Sequence, residues 1–138
     1  MKWLLLGSAE DDYANQLDTE LKKHLGENRF KMLPHQKREA RNAFYNAADS
    51  ALYTTPAISI VEAMGTGLPV LMPKMKSLSH LISNSNQGLY FDDPSSIDFV
   101  GFSKADRQSL ASLNRDKFSW KRQAEILLQN TQNLFGSR

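Results

Sequence analysis

Short apolar runs separated by amphipathic segments set the pattern of this chain. Apolar and polar residues do not alternate within these runs as they do in half-buried strands. The lack of alternation is typical of parallel strands that are covered on both faces. The runs predict strands at Trp3–Leu6, Arg29–Leu33, Ser50–Thr54, Pro69–Pro73 and Gly88–Phe91. Between the runs, apolar residues recur at the spacing of one helical face. They predict helices at Asp11–Leu25, Gln36–Ala48, Ser59–Gly65 and Leu78–Ser83, two short helices within Ser95–Asp116, and a long final helix at Trp120–Phe135.

Strands that alternate with helices predict an α/β fold. We expect a single Rossmann-like domain over residues 1–138, with helices on both faces of a doubly wound parallel sheet and a long C-terminal helix. The sheet should contain about five strands in the order 2-1-3-4-5. Ligands of such sheets bind beyond the carboxyl ends of the strands, near the point where the strand order reverses. The residues that follow each strand are therefore the candidate site.

Composition excludes several kinds of function. The chain has no cysteine, so disulfides and thiol chemistry are absent, and we expect a cytoplasmic protein. The net charge of +2 is too small to indicate a nucleic-acid partner. His24, His35 and His80 lack the spacing of metal ligands, so no metal site is expected. No apolar run approaches the roughly 20 residues that span a bilayer.

The segment Ile58–Val70 carries the strongest candidate for a ligand site. It places one carboxylate, Glu62, in a short helix whose other residues are small or apolar, and a Gly-x-Gly-x-Pro turn follows the helix. Such a carboxylate is costly to bury unless a cation, backbone amides or a hydroxyl-rich ligand satisfies it. The plain alternative is a carboxylate that receives backbone amides at the start of a helix.

Several segments resemble one family, and they follow the family's order along the chain. They are Leu5–Glu10, Glu27–Leu33, Tyr45–Asp49, Ile58–Val70, Asn86–Tyr90 and Phe118–Trp120. The chain resembles the C-terminal, donor-binding domain of retaining glycosyltransferases with two Rossmann-like domains (the GT-B type), in the large family called group 1 or family 4. The resemblance implies a protein that binds a nucleotide diphosphate sugar as donor substrate, without a resident cofactor, for sugar transfer to an acceptor.

The family's signature is a pair of glutamates at a fixed spacing, and the second of them contacts the ribose of the nucleotide. The resemblance assigns that role to Glu62, since a carboxylate can accept charge-assisted hydrogen bonds from two ribose hydroxyls. At the spacing of the first glutamate, eight residues earlier, this chain has Thr54. The family's residues between the pair offer backbone amides to the diphosphate, as does a helix N-terminus. Here Thr55, Ile58 and Ser59 fall in that interval.

Two other strand ends supply weaker candidates for binding the nucleotide. Gly7 and Ser8 follow the first strand and resemble a loop that cradles a phosphate, although a plain turn between strand and helix explains them as well. Leu33 and His35 lie where the second strand ends, and the corresponding loop of the family lies near the nucleotide base. No catalytic residue is predicted.

The chain departs from the family pattern at two places. Thr54–Ala57 replaces a motif of glutamate and glycine, and Pro56 has no N–H to offer a phosphate. The family's first strand and helix, whose arginine and lysine neutralise the diphosphate, have no counterpart, so the chain resembles a truncated domain. Lys74 and Lys76 either compensate in part or are solvated surface charges. We do not expect this chain alone to catalyse transfer, because stabilising the transition state needs groups on both sides of the donor.

Three hypotheses of function stay open. The first is the nucleotide-sugar-binding portion of a glycosyltransferase. The second is a non-catalytic remnant that acts as an interaction module, with an acceptor domain, a partner chain or a second copy of itself as partner. The third, a flavodoxin-like receiver or flavin protein, is weaker because the clustered acidic residues and the phosphate loop of those proteins are missing. The resemblance also allows peripheral membrane association of the parent enzyme. Trp120 and Phe135 are expected to anchor the closing helix in the core.

Overall fold

The computed structural model describes residues 1–7, 11–97 and 106–135, with the backbone alone at residues 134 and 135. The helices are α1 (Asp12–Leu25), α2 (Arg38–Ala47), α3 (Ile58–Gly65), α4 (Arg107–Lys117) and α5 (Trp120–Phe135). The strands are β1 (Trp3–Leu6), β2 (Phe30–Leu33), β3 (Ala51–Leu52), β4 (Val70–Pro73) and β5 (Gly88–Phe91). The backbone divides into two compact units, Met1–Arg41 and Asn42–Arg138. The expectation of a single domain stays a prediction.

The predicted α/β class with parallel strands is confirmed. In the first unit, β1 pairs with β2, and in the second unit the strands follow the order β3-β4-β5. These are the neighbours that the expected order 2-1-3-4-5 requires within each unit. The expected ladder between β1 and β3 is not found, since none of the described strands joins the two sheets. β3 has only two residues, so the edge that does not pair with β4 is short.

β4 lies at the centre of the second unit's core. Val70, Leu71 and Met72 are all fully buried, although successive side chains of a strand point to opposite faces of the sheet. On one face, Val70 and Met72 belong to a cluster with Ile60 and Met64 of α3. The lack of alternation in this segment therefore reflects a strand covered on both faces, as the sequence indicated.

Two glycines allow backbone segments to approach each other closely. Gly88 begins β5 opposite Val70 with φ +150°, and a Cβ atom there would overlap the Val70 carbonyl group. Gly67 follows α3 with φ +78°, and a Cβ atom there would overlap the carbonyl group of Arg107 in α4. Only glycine tolerates both the left-handed backbone and the contact. The second glycine of the Gly-x-Gly turn thus has a packing role.

α4 connects three segments of the second unit through polar side chains. Its donors to backbone carbonyl oxygens are Arg107, Asn114, Arg115 and Lys117. The Arg107 guanidinium bonds three carbonyl groups at the C-terminus of α2, at distances of 2.6–3.0 Å. Asn114 and Arg115 bond the last two carbonyl groups of α3, each at 2.9 Å. These donors satisfy carbonyl groups that a helix end leaves without a partner inside the helix.

The segment before β5 differs from its predicted structure. A helix was expected at Leu78–Ser83, but the structure has a 3-10 turn at Lys76–Leu78 and an irregular segment after it. The Tyr90 hydroxyl donates to the Leu78 carbonyl oxygen at 2.6 Å and accepts from the Ile82 amide at 3.1 Å. Lys117 Nζ donates to the carbonyl oxygens of His80 and Leu81. These tertiary bonds take the groups that a helix would pair internally.

The region expected to hold two short helices is partly described. It contains a 3-10 turn at Pro94–Ser96 and the helix α4, and residues 98–105 between them lie outside the described part of the chain.

The bounds of α5 agree with the prediction, but the expected burial of its first residue is wrong. Trp120 is 91% exposed, and Leu127 and Leu128 are 68% and 60% exposed. α5 does have the apolar face that the sequence pattern predicts. The pattern does not identify the surface against which that face packs. The side chain of Phe135 lies outside the described residues. Neither α5 nor any other helix in the described ranges combines the length and the hydropathy of a membrane span.

Asp106 caps the N-terminus of α4. Its carboxylate accepts hydrogen bonds from the amides of Gln108 and Ser109 at 3.1 and 3.2 Å, and from the Ser109 hydroxyl at 2.7 Å. Hydrogen bonds from Ser109 lower the pKa of Asp106 from its ordinary value of 3.8. The Ser109 hydroxyl has the larger effect and the Ser109 amide the smaller one. The charged form is therefore favoured in the folded state.

We expect Asp106→Asn to be less stable than the wild type at neutral pH and equal to it in acid. Asparagine caps a helix as well as aspartate does but carries no charge. Because the folded pKa is lowered, the stabilisation is complete above the unfolded value of 3.8 and is lost as pH falls through the folded value. Urea unfolding of both proteins across this range measures the difference. Ser109→Ala should shrink the pH dependence, and identical pH profiles for wild type and Asp106→Asn would refute the assignment.

Candidate functional site

The strongest candidate site lies in the second unit, where β3 ends. Tyr53 to Ala57 form the connection from the carboxyl end of β3 to α3, and Thr54 and Thr55 are both exposed. α3 then begins at Ile58, which is 83% exposed, and Ala57 before it offers no side-chain cap. The N-terminus of a helix carries amides that point away from the helix and a partial positive charge. An anion can therefore approach this end of α3.

Glu62 lies beyond the first turn of α3. The first turn contains no acidic residue, so the plain alternative, a carboxylate that caps the helix N-terminus, is not what the structure shows. Glu62 is half-buried, and its neighbours Ile60, Ala63 and Met64 are fully buried. Ser59 precedes Glu62 by three residues, so both lie on the same side of the helix. The carboxylate thus combines a fixed backbone with partial access to solvent.

Tyr53 is a site residue that the sequence did not indicate. Its hydroxyl donates to the Ser59 carbonyl oxygen at 2.8 Å, across the connection from β3 to α3. Burial raises the pKa of the Tyr53 phenol, Tyr45 and the Glu62 carboxylate raise it further, and a hydrogen bond from the Ser59 side chain acts in the opposite direction. Tyr53 therefore stays a neutral donor at physiological pH. The available signal was an aromatic residue directly after a short strand.

The candidates in the first unit lie where β1 and β2 end. The Gly7 amide donates to the Leu33 carbonyl oxygen at 3.0 Å, which extends the ladder between the strands by one residue. That bond occupies the amide that a phosphate would need at Gly7, which favours the plain turn. His35 is exposed in the connection to α2, and Ser8 lies outside the described residues.

Two lysines follow β4 in the second unit. Lys74 lies 4.0 Å from the Asp92 carboxylate, measured from Nζ to Oδ2, and both side chains are well exposed. Lys76 begins the 3-10 turn and is exposed as well. The contact with Asp92 favours solvated surface charges over a phosphate site. In residues 1–7, 11–97 and 106–135, no three acidic or histidine side chains cluster as metal ligands would.

Together, the fold and this site define an α/β protein whose candidate ligand site lies beyond a parallel strand, at the start of a short helix. The chain belongs to the glycosyl transferases group 1 family, whose model matches residues 2–101. The expected family is thereby confirmed, while the assignment to family 4 and to a truncated donor-binding domain stays a prediction. No curated protein matches the chain. The matched region contains Glu62 and the strands β1 to β5 of the described residues, and it ends before α4.

Proposed function

We propose that this chain is the nucleotide-sugar-binding portion of a glycosyltransferase, acting in the cytoplasm. One observation carries the proposal: Glu62 is a half-buried carboxylate on the helix that follows β3, inside the region matched by the group 1 family. A ribose offers two adjacent hydroxyl donors, and a carboxylate can accept both with charge-assisted hydrogen bonds.

The diphosphate of the donor is assigned to the N-terminus of α3. The amides of Ile58 and Ser59 lie in its first turn, where the helix dipole favours negative charge. Thr54 and Thr55 are exposed just before the helix, and their hydroxyls can donate to phosphate or sugar oxygens. These neutral donors take the place of a glutamate and a glycine in the family pattern. We therefore propose binding of the donor without catalysis by this chain alone.

Isothermal titration with UDP-, GDP- and ADP-sugars tests the proposal, and we expect heat of binding with at least one of them. Glu62→Gln should weaken that binding by about 10- to 100-fold, because hydrogen bonds to a charged group contribute about 1.5–3 kcal/mol. Glutamine keeps the shape of the side chain and one acceptor oxygen but removes the charge.

The matched control is Glu125→Gln, which removes an exposed carboxylate paired with Arg122 on α5. It should bind as the wild type does, since surface ion pairs contribute little to stability. Equal affinity of wild type and Glu62→Gln for the donor would contradict the role of Glu62. No heat with any donor at millimolar concentration would contradict the proposal as a whole.

A second candidate, a non-catalytic interaction module, is favoured by the exposed face of α5. Trp120, Leu127 and Leu128 present apolar side chains to solvent, and exposed apolar patches of this kind often mark association surfaces. Analytical ultracentrifugation separates the candidates. A monomer that binds a donor nucleotide supports the first candidate, and association of copies without nucleotide binding supports the second.

A further inference from the structure

Tyr53 joins the strand side of the candidate site to the helix side. Its amide donates to the Leu71 carbonyl oxygen of β4 at 2.8 Å, and its hydroxyl donates to the Ser59 carbonyl oxygen of α3 at 2.8 Å. One residue therefore connects the central strand β4, at the fully buried Leu71, to the first turn of α3. The exposed residues Thr54 to Ala57 form the loop that this bridge closes.

The ring of Tyr53 is held in place by its neighbours. It packs against the buried cluster around β4, beside Tyr45, which is only 7% exposed. A ring fixed by packing keeps its hydroxyl at one position, so the bond to Ser59 costs little further conformational entropy. The Tyr53 hydroxyl is therefore held rigidly, although the loop Thr54 to Ala57 beside it is exposed.

The phenol also lies within the electrostatic influence of Glu62. Burial and Tyr45 are the main causes of the raised pKa of Tyr53, the Ser59 side chain lowers that pKa, and the Glu62 carboxylate adds a smaller increase. Ser59 and Glu62 lie three residues apart on the same side of α3, so fixing the turn at Ser59 also fixes the backbone from which the Glu62 side chain extends.

We infer that Tyr53 is a positioning residue that holds the first turn of α3 and thereby aims Glu62 at the ribose of a bound nucleotide. This inference rests on the proposed function. In this inference, Tyr53 and Glu62 together recognise the two ribose hydroxyls and so distinguish a ribose from a sugar that lacks them. A fixed acceptor recognises a diol better than a mobile one, because less freedom is lost when the complex forms.

The test compares two ligands by titration: the nucleoside diphosphate, among UDP, GDP and ADP, that the wild type binds most tightly, and its 2′,3′-dideoxy analogue. The ratio of their affinities measures recognition of the two ribose hydroxyls.

Tyr53→Phe removes one hydroxyl and keeps the ring. We expect it to reduce the ratio about fivefold or more, since the loss of a single hydrogen bond already has an effect of about that size, with the affinity for the dideoxy analogue unchanged. In Glu62→Gln, addition of Tyr53→Phe should reduce the ratio no further, since the two residues act as a unit.

Tyr90→Phe is the matched control because its hydroxyl also donates to a backbone carbonyl oxygen, that of Leu78, at 2.6 Å. Because the Tyr90 hydroxyl also accepts from the Ile82 amide, this variant should lower the melting temperature at least as much as Tyr53→Phe does, and it should leave the affinity ratio unchanged. The inference is overturned if Tyr53→Phe discriminates between the ligands as well as the wild type does. It is also overturned if Tyr53→Phe loses affinity for both ligands equally, which indicates a purely structural role. A wild-type protein that binds no nucleotide overturns the proposed function itself, and this inference with it.

Discussion

Replacement of Gly88 by alanine should destabilise the second unit by at least about 3 kcal/mol, the range of severe overpacking combined with a disfavoured backbone conformation. The added Cβ atom would overlap the carbonyl group of Val70, which lies opposite Gly88 in the ladder between β4 and β5. Backbone atoms of a central strand cannot move aside as the end of a flexible side chain can. Urea unfolding followed by circular dichroism measures the loss, and hydrogen exchange should show it first at β4 and β5.

Gly65→Ala is the control for this substitution. Gly65 ends α3, its backbone is not in the left-handed region, and a Cβ atom there would meet no neighbouring atom within 4 Å. The unfolding free energy of this variant should stay within about 1 kcal/mol of the wild-type value. Equal unfolding midpoints for Gly88→Ala and Gly65→Ala would show that the close approach of β5 to β4 is wrong.

Replacement of Asn114 by alanine should cost about 2–4 kcal/mol, because the Gln87 side-chain amide loses its acceptor, the Met64 carbonyl oxygen is left with the Gly67 amide as donor, and a small cavity forms. Asn114 is 1% exposed, accepts a hydrogen bond from the Gln87 side chain at 2.7 Å and donates to the Met64 carbonyl oxygen at 2.9 Å. Gln87 is equally buried and accepts from the Ser83 amide at 2.7 Å. The pair thus links α4 to the end of α3 and to the loop before β5.

A double-mutant cycle with Gln87→Ala measures the coupling within this network. The cost of the double variant should be well below the sum of the two single costs, since one shared bond is lost in both. Asn130→Ala, which truncates an exposed asparagine of α5, is the matched control and should change stability by less than about 0.5 kcal/mol. A cost below about 1 kcal/mol for Asn114→Ala would contradict the network, because one unsatisfied buried group alone costs about that much.

The elements that local pattern decides were predictable from the sequence. β5 and α5 have the predicted bounds, Gly88–Phe91 and Trp120–Phe135, and β1 has those of its apolar run. The absence of alternation in β4 correctly indicated a strand covered on both faces. Glu62 stood out as a candidate because a charged residue among small and apolar ones needs a physical explanation.

Features that depend on contacts distant in sequence were not predictable. Arg107 and Lys117 of α4 look like residues of a solvated helix face, yet they bind partners 34 to 62 residues away. The length of β3 and the division of the strands into two sheets depend on which strands pair with each other. The apolar pattern of a strand does not specify its neighbours in the sheet. The exposure of Trp120 likewise depends on a surface that periodicity alone does not identify.

The position of Glu62 on a short helix was predictable from the sequence, and the hydrogen bond of Tyr53 beside it was not. The motif around Glu62 indicated a carboxylate near a helix N-terminus, and the structure places it on α3 past the first turn. The role of Tyr53 depends on a hydroxyl that reaches over a loop to Ser59. Such a bond has no periodic signature, because it follows from the burial of one ring and the path of the loop.

The position of α4 has a consequence for where a minimal unit of this protein can be cut. The family match ends at residue 101, whereas α4, whose side chains bond the ends of α2 and α3, begins at Arg107. A fragment trimmed to the matched region would remove the hydrogen bonds that Arg107 and Asn114 donate to those helix ends. The region that matches the family therefore ends before the end of the smallest segment that we expect to fold stably.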